Sequence, residues 1–108
     1  MATFAEFWKS LKTELASFAE KSWKTYRDAA VKDGQTFLEK SKIRLEEWTK
    51  QLAKKEISRK DFKWLVKGLK DLAELEALKE AGLAKAALDN FTNGLIDVVV
   101  STAFKAFL

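Results

Sequence analysis

The chain has no histidine, no cysteine and no proline, and only four glycines in 108 residues. Without histidine it lacks the usual general base, the commonest metal ligand and the side chain that titrates near neutral pH. Without cysteine it can form neither disulfides nor thiolate nucleophiles, and zinc, copper or haem sites built on His or Cys are excluded. A carboxylate-only Mg²⁺ or Ca²⁺ site would need an Asp-rich, Gly-containing loop, and none is present. Four isolated glycines cannot form a phosphate-cradling loop. These absences argue against an enzyme, and no catalytic residue, metal site or cofactor is expected. The missing prolines matter differently, because chains of this length usually carry about five. Long uninterrupted helices are therefore allowed.

What is present is a chain that is 47% hydrophobic and 33% charged, a globular balance, and its length suggests one domain. Its most apolar quarter is Leu83–Leu108. There Lys85, Asp89, Asn93, Asp97, Ser101 and Lys105 recur at every fourth residue, which on a helix makes one polar ridge. Almost everything off the ridge is apolar, so this helix must be covered on several sides by a core, an oligomer seam or a membrane. Phe91, Leu95, Val98, Val99 and Phe104 are the candidate seam residues. Asp97, inside Leu95–Val100, would be costly to bury unpaired; its place on the ridge implies that it faces water or a basic partner.

Towards the N-terminus, Thr3 and Glu6 have capping-box spacing. Phe4, Phe7, Trp8, Leu11, Leu15 and Phe18 then follow helical spacing within roughly a third of the helix circumference. Asp33-Gly34 is a turn signal, and the apolar pattern resumes beyond it with Leu38, Leu45 and Leu52, seven apart. Lys54 to Ser58 is the clearest loop; Ser58 and Asp61 repeat the cap spacing, with Ile57 placed to staple onto Phe62. Gly82 can end the following helix or lie inside one that continues. The spacing predicts helices over 3–32, 35–54, 59–81 and 83–106. The fold class is all-α: a four-helix bundle if Gly34 and Gly82 break the helices, and otherwise an antiparallel hairpin about 75 Å long. The long hairpin would leave its last helix uncovered and so must oligomerise.

Leu45, Trp48 and Leu52, then Ile57-Ser58, then Asp61-Phe62 and Leu65, resemble the short helical hairpin of the SHOCT family over about residues 45–69. Lys55 or Glu56 stands where that family's turn usually has glycine. The resemblance implies a role in oligomerisation or protein docking.

Four tryptophans are many for this length. Trp8 and Trp48 fall on the apolar faces and read as packing, whereas Trp23 and Trp64 lie towards the edges and are better placed to meet a partner. Glu39, Glu46 and Glu47, flanked by Lys42, Arg44 and Lys50, read as solvated acids rather than a catalytic pair. Asn90-Phe91-Thr92 matches the glycosylation sequon by chance.

The net charge is +4. Counted by segment, residues 1–57 hold twelve basic and nine acidic residues, 58–82 six and five, and 83–108 two and two. A surplus spread so thinly disfavours nucleic acid as a partner. No signal peptide is visible, so a cytoplasmic location is expected, peripheral to a membrane or other hydrophobic surface at most. Residues 91–108 fall short of a comfortable membrane span. Residues 4–30 have the Phe/Trp face of an interfacial helix, with Phe4, Phe7, Trp8, Leu11, Leu15 and Phe18 as its interfacial candidates. Their net charge of only +1 predicts weak lipid binding that depends little on anionic headgroups. The expected function is a non-enzymatic, self-associating helical scaffold or adaptor with a homo-oligomeric or other protein partner. The alternative is a peripheral lipid-binding or pore-forming protein using residues 4–30 and 91–108.

Overall fold

Thr3 opens the first helix as its spacing predicts. In the computed structural model, which describes residues 2–108, the Glu6 amide donates to Thr3 Oγ1 at 3.2 Å and the Thr3 amide donates to Glu6 Oε1 at 3.0 Å. Helix α1 (Phe4–Ser22) buries Phe7, Trp8, Leu11, Leu15 and Ala19 along one stripe. It then ends ten residues before the position that the sequence marks. Trp23 leaves helical geometry (φ −129°, ψ 37°), a 3₁₀ turn covers Lys24–Tyr26, and α2 runs unbroken from Arg27 to Ala53. Ser22, Trp23, Thr25 and Tyr26 are all modest helix formers, and the Trp23 indole packs edge-on against Phe91, ring centroids 5.4 Å apart. Burying that indole fixes the corner.

The expected break at Asp33-Gly34 is absent. Gly34 lies buried inside α2, where a Cβ atom would fall 2.5 Å from Leu15 Cδ1. Its role is close approach between α1 and α2, and it carries the roughly 1 kcal/mol helix penalty of glycine to allow it. Gly94 does the same on the last helix, where a Cβ would lie 2.7 Å from Phe18 Cζ. Leu38, Leu45 and Leu52 are all buried, as their seven-residue spacing requires.

At the end of α2 the Glu56 amide donates to Gln51 O at 2.9 Å and the Lys55 amide to Leu52 O at 3.1 Å. This paired pattern closes the helix through a left-handed residue, here Lys55 at φ 61°. Ser58 then caps α3 (Arg59–Lys67): the Asp61 amide donates to Ser58 Oγ at 3.0 Å and the Ser58 amide to Asp61 Oδ2 at 3.2 Å. Ile57 is half-buried against the core that contains Phe62.

The single helix expected over 59–81 is divided. After α3 come a 3₁₀ turn (Gly68–Leu72), a left-handed Leu75 at φ 56°, and the short α4 (Glu76–Glu80). Local preference is overruled here by a tertiary bond. Asp33, only 7% exposed, accepts from the amides of Ala77 at 3.0 Å and Leu78 at 2.8 Å, capping α4 from more than forty residues away. Lys40 Nζ holds Glu74 at 2.9 Å on the same side. Gly82, at φ 94°, ends α4; the Gly82 amide donates to Lys79 O and the Leu83 amide to Leu78 O. Of its two possible roles, the chain stop is the one adopted.

Helix α5 (Lys85–Phe107) keeps its whole polar ridge exposed and buries Phe91, Leu95, Ile96, Val99, Val100, Ala103 and Phe107. It packs on α1 and more lightly on α2 and α3, while α1 also packs on α2. About 85% of the described residues are helical, and none of them is in a strand. The Cα trace measures 42 × 22 × 19 Å, so a straight hairpin of about 75 Å is excluded. No helix among the described residues is long and apolar enough to cross a membrane.

Candidate interaction surface

The seam proposed from sequence lies inside the chain's own core. Phe91, Leu95 and Val99 are fully buried, and Val98 and Phe104 are half-buried against the core. Phe104 is covered further by the Phe62 ring at 6.0 Å and the Arg59 guanidinium at 5.6 Å. The interfacial stripe is similarly occupied: Phe7, Trp8, Leu11 and Leu15 are buried, and Phe4 and Phe18 are half-buried. Phe7 stacks on Phe107 at 5.4 Å and Phe18 on Phe91 at 5.6 Å. Neither set is a free surface while the chain is folded.

Of the tryptophans, Trp8 is buried under Lys42, whose Nζ sits 5.0 Å from the ring, and Trp23 and Trp48 are half-buried. Trp23 packs edge-on against Phe91. Trp64 stands apart at 73% exposed. Its position follows from the register of α3. At 100° per residue, Phe62 and Val66 each stand about 160° from Trp64, and both are buried. Anchoring them in the core aims Trp64 straight outward. Lys60, Lys67 and Lys63 fall about 40°, 60° and 100° to one side of it, all exposed.

Charge concentrates at the same place. Residues 59–70 hold Arg59, Lys60, Lys63, Lys67 and Lys70 against one acid, Asp61, a surplus equal to that of the whole chain. The rest of the chain carries fifteen basic and fifteen acidic residues. The surplus is thus not thinly spread. Counting 58–82 together hid it, because Asp71, Glu74, Glu76 and Glu80 follow directly; a twelve-residue window would have found it. Asp61 is turned back into its capping box. Asp97 lines a cleft with Lys63, Lys67, Lys70, Asn93 and Ile96, so the ridge carboxylate is exposed beside a basic neighbour.

A second cleft, between α2 and the 72–80 stretch, is lined by Lys32, Asp33, Thr36, Lys40, Glu74 and Glu76 among others. Its one buried carboxylate uses both oxygens on backbone amides, which suits Asp33 to holding α4 rather than to moving protons. Lys40 holds the Glu74 carboxyl below the ordinary carboxylate range, first by its hydrogen bond and then by its charge. Glu39, Glu46 and Glu47 are exposed on α2.

Comparison with protein-family models, with curated proteins and with solved structures finds no match.

Proposed function

We propose that this chain is a non-enzymatic α-helical adaptor that works by presenting the outer face of α3 to a partner. The carrying observation is Trp64, a large indole held at 73% exposure on a helix whose opposite side is locked into the core. Tryptophan is among the residues that most often anchor binding surfaces. The absence of histidine and cysteine, and the use of both Asp33 oxygens in a cap, favour binding over catalysis.

Self-association remains within this proposal but changes site. Phe91, Leu95 and Val99 would have to leave the core to form a seam, and two α3 faces of like charge repel. Copies would therefore join head to tail, the basic face of one meeting the acidic 71–80 stretch of another.

A photo-crosslinking residue at position 64, introduced in the cells that make the protein, tests the assignment. Discrete adducts to a protein, a lipid or a second copy are expected at 64 and not at exposed Lys24. Equal labelling at both positions, or none, would refute α3 as the working surface.

A further inference from the structure

We propose that the α3 face docks onto an anionic lipid bilayer, with Trp64 at headgroup depth and Lys60, Lys63 and Lys67, joined by Lys70 of the following 3₁₀ turn, over the negative headgroups. This deepens, and rests on, the assignment of α3 as the working surface.

Three observations select lipid over other anionic partners. The first is the residue type. Four of the five basic side chains in 59–70 are lysines, and the single arginine is drawn over the Phe104 ring. Arginine's bidentate fork is favoured where individual phosphates or carboxylates are recognised with defined geometry. Lysines are point charges on flexible stems and suit a charge smeared over a plane.

The second is the aromatic. Trp64 projects outward from a convex helix at 73% exposure, and it is not among the residues that line the neighbouring cleft of Lys63, Lys67, Lys70 and Asp97. Tryptophan favours the membrane–water interface, where its ring meets the apolar boundary and its N–H stays wet.

The third is that nothing has to open. Docking through residues 4–30 would withdraw Phe7, Trp8, Leu11 and Leu15 from the core. Trp64 and the lysines are already outside, and with the rest of the chain neutral in sum, an anionic plane would orient the molecule α3 first.

Each lysine near such a surface strengthens partitioning roughly fivefold. Four give several hundredfold, less whatever Asp71 and Asp97 oppose. Binding should therefore depend steeply on anionic lipid and on salt, the opposite of what residues 4–30 alone predict.

The test is co-sedimentation of the full chain with phosphatidylcholine vesicles, with and without about 30% phosphatidylserine. Circular dichroism confirms the fold of each variant. Binding is expected only with the anionic lipid, fading between about 0.05 and 0.3 M salt. Combined Lys60→Gln, Lys63→Gln and Lys67→Gln should weaken it about a hundredfold. The matched set Lys24→Gln, Lys32→Gln and Lys50→Gln should change it less than about fivefold. Trp64→Ala should abolish the blue shift of emission on binding while leaving helicity intact. Failure to bind anionic vesicles, or binding that survives the α3 lysine changes, overturns the lipid assignment. If vesicles fail while position 64 crosslinks to a protein, to nucleic acid or to a second copy, the lipid is wrong and the α3 surface stands. If both fail, both proposals fall.

Discussion

Replacing Asp33 by alanine should be among the most damaging single changes outside the apolar core. Its two carboxylate oxygens take the amides of Ala77 and Leu78 at 3.0 and 2.8 Å. Alanine removes a helix cap, worth roughly 0.5–2 kcal/mol. It also strands the amide of Leu78, a residue buried completely, and an unmade buried hydrogen bond costs about 1–3 kcal/mol. Nothing local takes over, because α4 has five residues and a helix that short does not persist alone. Leu75 adds its own demand, since a left-handed non-glycine residue costs about 1–2 kcal/mol. The expected loss is about 2–4 kcal/mol, or roughly 10–25 °C in melting temperature for a domain of this size. Asp33→Asn should fall between, because an amide accepts from one donor and turns its own N–H groups toward the other. Asp28→Ala, an exposed acid paired with Arg27, should cost less than about 0.5 kcal/mol. Urea and thermal melts of the four proteins decide the matter. Asp33→Ala melting together with Asp28→Ala would refute the long-range cap.

Gly34→Ala should destabilise by about 1–3 kcal/mol through overpacking against Leu15, despite alanine's better helix propensity. Combined with Leu15→Ala it should cost less than the two single changes together; strict additivity in denaturant midpoints would mean that the helices do not meet there. Lys55→Gly should stabilise by about 0.5–1 kcal/mol, since φ 61° favours glycine. The same change at Lys54 (φ −83°) should not, and equal midpoints for the two would count against the turn. Glu74 has its folded-state pKa lowered from 4.5, so its contribution is present above that value and disappears as pH falls through the lower folded one. The gap in melting temperature between the wild-type chain and Glu74→Gln should accordingly close on acidification; a gap independent of pH would rule out the Lys40 contact.

The parts of the fold that were legible in sequence are those fixed locally. Thr3/Glu6 and Ser58/Asp61 cap the helices they precede, and the ridge from Lys85 to Lys105 faces outward. What escaped is decided between distant residues. Gly34 looked like a break because glycine weakens helices, yet its meaning depends on Leu15 across the interface. The corner at Trp23 packs on Phe91, and the start of α4 is held by Asp33. Periodicity found the apolar face of α5 but could not say whether its cover is another chain or α1. Trp64 was readable as an edge residue; its isolation became visible only once the other three tryptophans were placed.

The pairing of α1 with α5 bears on how the chain is made. Phe7 rests on Phe107 and Phe18 on Phe91, so α1 leaves the ribosome well before α5, one of the two helices that cover it; α2, the other, follows directly. At about 5–20 residues per second, Phe7 waits roughly 5–20 s for Phe107 to be synthesised. Throughout that interval the side of α1 that meets α5, with Phe7 and Phe18, is uncovered. Holdase chaperones bind such a segment, and a nascent chain truncated before residue 91 should engage them far more than the finished protein does.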